Sequence, residues 1–319
     1  MKFSVAMCTY NGEKYIAQQL QSILKQSKPV DEIIVSDDGS TDQTLEIAQQ
    51  ILRDSGIPHK IVCNRPAKGV SANFLSAMKM TSGDYCFTCD QDDIWNENKV
   101  EVFAAEAEAS HLDLYFSDGT LVDGQAEPLG GTLWEAIDLS HPPKDAAACV
   151  QTLIRRPMVT GAAMMVSRAL IERAPEVPQG ILHDEWFGML AATADSLVPI
   201  CRQTFLYRQH GKNVVGVKRA TFMDRVRNWW NNLLSIEKLR RNELARVSAM
   251  SAAAQGTGYE AVSKKALAFW ETLNSFPQIS CWKQICIATK LFCSKQYSQF
   301  YTGFRGYLRD ILCAFAVRN

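Results

Sequence analysis

Long apolar runs are missing from this 319-residue sequence. None reaches the roughly 18 consecutive apolar residues that span a bilayer, so no integral anchor is expected. The N-terminus, Met1-Lys2-Phe3-Ser4-Val5-Ala6-Met7, reads as a strand without a cleavable apolar segment, so no secretory signal is expected. The 10 cysteines include a single CxxC pair, Cys86 and Cys89 inside an apolar strand run, with no second pair to complete a zinc ribbon; neither a zinc site nor a disulfide framework is supported, and reduced, cytoplasmic thiols are expected. No GxxxxGK[ST] phosphate loop occurs, which argues against a phosphotransferase or nucleotidyltransferase. Disorder-prone tracts and fibrous repeats are absent too. What remains is 47% hydrophobic and fits one large domain with an appendage, or two domains.

Net charge is also absent, but only as a sum. Residues 221–319 carry 14 basic and 6 acidic side chains, a balance of +8, and residues 1–220 carry the opposite balance of −8. An acidic front half argues against a nucleic-acid ligand and fits a site that holds a metal ion.

The front half alternates in type. Lys2 to Cys8 reads as a strand. Asn11 is placed to cap a helix with the stripe Ile16, Leu20, Ile23 and Leu24. Glu32 to Ser36 is a second strand, and Ser40-Thr41-Asp42-Gln43 has the pattern of a capping box for a helix with Leu45, Ala48 and Leu52. Lys60 to Cys63 is a third strand, a helix follows over about 71–80, and Tyr85 to Cys89 is a fourth strand. This rhythm predicts right-handed βαβ crossovers and a parallel sheet, with ligands beyond the carboxyl ends of its strands.

Polar clusters follow three of those strands: Thr9-Tyr10-Asn11-Gly12-Glu13, Asp37-Asp38-Gly39-Ser40 and Asp90-Gln91-Asp92-Asp93. They are predicted to converge on one edge. Three carboxylates within four residues repel one another and are costly to desolvate. A divalent cation resolves the repulsion, because Asp-x-Asp presents two hard oxygen ligands suited to Mg²⁺ or Mn²⁺. An acidic turn capping the next helix is the plain alternative, and Asp37-Asp38-Gly39-Ser40 is equally good turn chemistry.

The segments "VAMCTYNGEKYIAQQLQSILKQ", "EIIVSDDGSTDQT" and "GDYCFTCDQDDIW", in that order, resemble the nucleotide-sugar-dependent glycosyltransferases of family 2, with the GT-A fold. "MVTGAAMMVSR", "ILHDEWFGMLAA" and "LYRQHGKNVVG" look like the bacterial rhamnosyltransferase-like branch. The resemblance covers roughly residues 2 to 217. It implies an α/β GT-A domain over 1–217, with a mostly parallel sheet, and a helical C-terminal region over 218–319. It implies a donor pocket formed by Thr9, Tyr10, Asn11, Glu13, Asp38, Asn73, Asp90, Gln91 and Arg208, with Asp38 reading the pyrimidine. It assigns the metal to Asp90 and Asp92, with His210 as a further ligand and Lys212 near the diphosphate, and leaves Asp93 to cap the following helix. Transfer needs a base for the acceptor hydroxyl. "ILHDEWFGM" offers His183, Asp184 and Glu185. The family's base falls on Asp184, and Glu185 stands where the branch more often has an aromatic residue.

The function expected is an inverting transfer of L-rhamnose from dTDP-rhamnose to a lipid-linked saccharide of a bacterial surface polysaccharide, such as O-antigen. A UDP-hexose transferase of the same fold, or a nucleotide-sugar-binding module without turnover, is the alternative. The tail interleaves Phe222, Trp229, Trp230, Trp282 and the Tyr297–Tyr307 stretch with cations. That pattern suits peripheral contact with an anionic membrane, on the cytoplasmic face. Packing on the catalytic domain or in a homodimer is the competing reading.

Overall fold

The computed structural model describes residues 1–139, 141–210 and 235–316. The expected segments Phe222 to Leu234, including Trp229 and Trp230, and Lys212 lie outside the described residues.

The chain opens with β1 (Phe3–Thr9), α1 (Ile16–Leu24), β2 (Glu32–Asp37), α2 (Thr44–Arg53), β3 (His59–Cys63), α3 (Val70–Met80) and β4 (Tyr85–Asp90). All seven residues of β1 are buried, as expected of a strand covered on both faces. Then come β5 (Ile94–Trp95), α4 (Lys99–Ser110), β6 (Leu114–Val122), β7 (Pro128–Thr132), α5 (Leu133–Ala136) and α6 (Ala146–Arg155). The segment ends with β8 (Met164–Ser167), α7 (Arg168–Arg173), α8 (His183–Thr193) and β9 (Leu197–Arg208).

The strand order is β3-β2-β1-β4-β8-β6-β9-β5, with β7 paired to β6. Strands β3, β2, β1 and β4 are parallel, as the sequence rhythm predicts. Beyond β4 the sheet is mixed: β8 runs antiparallel to β4 and β6, while β9 is parallel to β6. The chain therefore leaves β1 toward β2 on one side and meets β4 on the other. Sheets of this kind bind ligands at such a reversal, here the carboxyl ends of β1 and β4, where Cys8 is in register with Asp90.

Two helix starts differ from the sequence expectation. Asn11 does not cap α1, whose N-cap position is Tyr15. Asn11 sits at φ 48°, and its Oδ1 accepts from Thr41 N at 2.9 Å, tying two loops together instead. No capping box forms at α2, which begins at Thr44. Ser40 Oγ turns back to Asp37, and Glu13 Oε2 accepts from Gln43 N at 3.0 Å. In both cases a partner distant in sequence outcompetes the local cap.

The C-terminal helices are α9 (Ile236–Ala253), α10 (Glu260–Asn274), α11 (Cys281–Cys293), α12 (Gln296–Phe300) and α13 (Phe304–Ala316). Tyr297 and Tyr301 are buried among them, with Phe269 and Trp270 as edge-on ring partners. These tyrosines are core, not the surface aromatics that composition suggested. The helices rest on the sheet domain: Gln151 Nε2 donates to Gln299 O, and Arg155 Nε donates to Tyr301 O at 3.2 Å. Arg246 of α9 donates to the Leu153 and Ile154 carbonyls at the end of α6, where a cation meets the negative end of a helix dipole. No described helix is long and apolar enough to cross a membrane.

Arg240 and Asp310 form a buried pair at 2.7 Å, and Tyr297 Oη donates to the other Asp310 oxygen at 2.7 Å. Asp310→Ala strands the guanidinium. Removing one partner of such a pair costs about 3–5 kcal/mol. Chemical denaturation of the variant is expected to show that loss, and a change under 1 kcal/mol would mean the pair contributes little.

Candidate active site

The three polar clusters do converge. Thr9 Oγ1 donates to Asp37 Oδ2 at 2.8 Å, Asn11 N donates to Ser40 Oγ at 2.8 Å, and Tyr10 N donates to Gln91 Oε1 at 2.9 Å. Gln91 Nε2 also donates to Tyr10 O at 2.9 Å, so one amide clamps the first loop to the third. Gly12 makes room for that clamp: a Cβ there would stand 2.1 Å from Gln91 Oε1. Asp37 is fully engaged, accepting from Thr9, Gly39 and Ser40. It shapes the turn and is not available to a ligand.

Several expected donor contacts are already committed within the fold. Thr9 is buried on Asp37, so Tyr10, 59% exposed, is the first-loop side chain at the crevice lip. Glu13 is exposed at the start of α2. Asp38 accepts from Lys68 N at 2.7 Å and Gly69 N at 2.8 Å, one bond per oxygen. Each oxygen keeps a lone pair, and the carboxylate is held in a fixed pose. Asn73 is buried, accepts from Ser36 Oγ and Asn64 Nδ2, and donates to Ser36 O, so the fold itself engages its amide.

Arg208 is buried as well, with only 1% of it exposed. Its guanidinium donates to Asp92 O at 2.7 Å, Gly124 O at 3.0 Å and Gln18 Oε1 at 2.7 Å, and lies 4.7 Å from the Tyr15 ring centre. It braces the third loop from inside the fold. Asp93 caps no helix, since α4 begins at Lys99 with Asn98 at its N-cap. Its Oδ1 accepts from Arg208 N at 3.0 Å, tying the loop to β9.

The metal candidates gather more closely. His210 Nε2 lies 2.8 Å from Asp92 Oδ2, and its ring stacks on Tyr15 with centres 4.9 Å apart. The Asp90 carboxyl is pushed up to about 7 by burial, then by the charges of Asp92 and Asp184. Asp93 is also raised, again by burial and then by Asp92 and Asp90. The local charge is therefore short of a cation. Hard carboxylate oxygens and an imidazole nitrogen are donors that suit Mg²⁺ or Mn²⁺. Among the described residues, no group of three or more such side chains closes on one point. A cation held at Asp92 and His210 would thus take most of its coordination from water and ligand oxygens.

Beneath this cluster lies Lys99, which sequence reasoning missed. It is wholly buried, donates to Ala162 O at 3.0 Å, and sits 4.4 Å from the Trp95 ring centre and 4.5 Å from that of Phe205. Burial lowers it to about 8, against the pull of Cys89, Asp93 and Asp90. A lysine at a helix start reads as solvated in sequence, so nothing there flagged it.

Asp184 and Glu185 part company in space. Asp184 Oδ2 accepts from Gly161 N at 2.8 Å, and its charge reaches Asp90. Thr88 Oγ1 donates to Gly161 O, and Lys99 holds the next carbonyl, so the loop that orients Asp184 is fixed to β4 and α4. Glu185 turns away toward α9, with its Oε1 3.8 Å from Arg246 Nε. His183 is buried against Phe74, ring centres 4.3 Å apart, and burial lowers its pKa. Two cavities, of about 490 and 610 Å³, open along β9 over 197–203. Neither includes a residue of the three loops, so the chemistry and not the concavity locates this site.

The family profile described as Glycosyl transferase family 2 matches residues 4–172. The chain belongs to glycosyltransferase family 2. It is 30% identical over 293 residues to the dTDP-rhamnosyl transferase RfbG of Shigella flexneri, covering 83% of this chain and 93% of that one. It is 34% identical over 131 residues to the poly(ribitol-phosphate) beta-N-acetylglucosaminyltransferase TarS of Staphylococcus aureus, covering 40% of this chain and 22% of that one. The crystal structure of S. aureus TarS 1-349 with UDP-GlcNAc superposes with a TM-score of 0.61 at 19% identity, over 87% of this chain and 73% of that one. The fold is therefore GT-A, and this family 2 chain is a glycosyltransferase of the rhamnosyltransferase-like kind.

Burial pushes the Glu185 carboxyl up to about 7; Arg246 opposes the rise and Asp184 adds to it. An unfolded glutamic acid ionises near the ordinary value of 4.5. Between these values the folded chain holds a proton that the unfolded chain has released. Stability contributed here is thus complete below about 4.5 and is lost as pH rises through about 7. Glu185→Gln is expected to flatten that decline in thermal melts taken from pH 5 to 8. Parallel curves for the two proteins would show that Glu185 titrates normally.

Proposed function

We propose that this glycosyltransferase moves L-rhamnose from dTDP-rhamnose to a lipid-linked saccharide of a bacterial surface polysaccharide, with inversion at C1. The observation that carries the donor is the near full-length similarity to the Shigella dTDP-rhamnosyl transferase. The similarity to TarS, whose name specifies N-acetylglucosamine, favours a UDP-hexose as the second reading. Residues 1–217 form the catalytic domain in this proposal, and 218–319 a helical region that serves it.

The donor lies across the carboxyl ends of β1 and β4. Tyr10 and Asp38 face the nucleotide, and the Gln91 clamp fixes the loop that carries Tyr10. Asp90, Asp92 and His210 would hold the divalent cation. When bound, that cation neutralises charge developing on the diphosphate leaving group. Asp184 takes the proton of the acceptor hydroxyl as its oxygen bonds to C1. The bond from C1 to the diphosphate oxygen breaks, and dTDP departs with the electron pair. Two backbone N–H donors, from Gly161 and Glu185, aim the Asp184 carboxylate while leaving each oxygen a lone pair. Glu185, turned to Arg246, takes no part in proton transfer.

Losing a general base costs about 10²- to 10⁴-fold in rate. Asp184→Asn is expected to lose transfer by that factor and to bind dTDP with little change. Normal turnover by Asp184→Asn together with a dead Glu185→Gln would move the base by one residue.

Hydrolysis of dTDP-rhamnose, UDP-glucose and UDP-N-acetylglucosamine with Mn²⁺ tests the donor directly. The dTDP-sugar is expected to be consumed fastest, and chelator or Asp92→Asn to abolish most of the activity. Preference for a UDP-sugar would favour the second reading, and full activity in excess chelator would remove the metal.

A further inference from the structure

Half of the large apolar side chains that the described residues leave exposed lie on one packed helix pair. Trp282 of α11 is 76% exposed, and Phe304, Leu308, Leu312 and Phe315 of α13 are also exposed. The α13 residues fall at i, i+4, i+8 and i+11, which is one continuous helix face. Among the described residues the opposite side makes the packing: Phe292 stacks on Tyr307 at 4.5 Å, the edge of Phe304 reaches Phe292 at 6.0 Å, and Tyr297 and Ala288 are buried.

The charge around the stripe is of one sign. Lys283, Lys290, Lys295 and Arg305 are exposed on these elements. Over 276–319 the sequence has one acidic residue, Asp310, and that is buried on Arg240 and Tyr297. The surface is thus apolar and cationic, without an exposed carboxylate. A second copy seated on the same face would set cation against cation. A surface of anionic headgroups over acyl chains matches both features.

We propose that the exposed face of α11 and α13 docks this protein on an anionic lipid surface. The proposal rests on the lipid-linked acceptor of the reading above and deepens it by naming the surface that brings the enzyme to that acceptor. Asp310 of α13 pairs with Arg240 of α9, which joins the dock to the site. Arg246 of α9 grips the end of α6 and faces Glu185, the neighbour of Asp184 on α8. Docking therefore fixes the orientation of the base relative to the membrane, with no transmembrane segment required.

The test uses the full chain and vesicles of phosphatidylglycerol with phosphatidylethanolamine, against vesicles of phosphatidylcholine. Wild type is expected to co-sediment with the anionic vesicles and to be released as salt rises. Two variants separate the contributions: Phe304→Ser/Leu308→Ser/Phe315→Ser removes the apolar stripe, and Lys283→Glu/Lys290→Glu/Arg305→Glu reverses the charge. Each is expected to bind at least tenfold more weakly, with an unchanged melting temperature because the altered side chains are exposed. Lipid-free hydrolysis of the nucleotide sugar is expected to be unchanged in both, so loss of docking and loss of catalysis are read separately. Failure of wild type to bind anionic vesicles overturns the proposal, as does binding by both variants equal to wild type. A wild-type dimer that the stripe variant converts to monomer would assign the face to a second copy and overturn it too.

Discussion

Burying negative charge at the end of β4 is the constraint on which the rest of the structure depends. Asp90, Asp92 and Asp93 leave a parallel strand where water is scarce, and burial drives two of their carboxyls upward. The fold answers with cations held beneath the loop. Lys99 is buried between Trp95 and Phe205, and Arg208 threads under Asp92 to reach Gln18. Neither touches the crevice. They offset the repulsion enough to hold the loop in place, and the charge that remains on the open side suits a divalent cation and the diphosphate it would accompany.

Around that centre the loops are tied to one another rather than to their own helices. Asn11 bonds to Thr41, Glu13 to Gln43 and Gln91 to both polar groups of Tyr10. Each bond links segments about thirty or eighty positions apart. The crevice walls are thereby fixed before a ligand arrives, which lowers the ordering cost of binding. The same economy applies to Asp184: the Gly161 amide aims its carboxylate, and Thr88 and Lys99 hold that loop from the sheet side.

The helical region is joined to the catalytic machinery through few but buried contacts. Arg246 satisfies the last carbonyls of α6 and stands 3.8 Å from Glu185. Glu185 thus faces a guanidinium from another part of the chain, whereas Asp184 faces the Gly161 amide and Asp90, so two adjacent carboxylates have different surroundings.

The sequence by itself determined the parallel start of the sheet, the position of the loops and their acidic character. Apolar runs broken by polar clusters encode strand ends directly, and the order of those clusters identifies the family. Tertiary structure alone decided which polar side chains remain available. Asn73 and Arg208 look like ligand residues in the sequence, but each is engaged inside the fold by partners that include Ser36 and Gln18, 37 and 190 positions away. Lys99 looks solvated and is buried. Tyr297 and Tyr301 look like surface aromatics and form core, whereas Phe304 of the same stretch is exposed. The physical reason is the same in every case. Residue type sets what a side chain can bond to, and only the packing of distant segments sets whether another part of the chain bonds to it first.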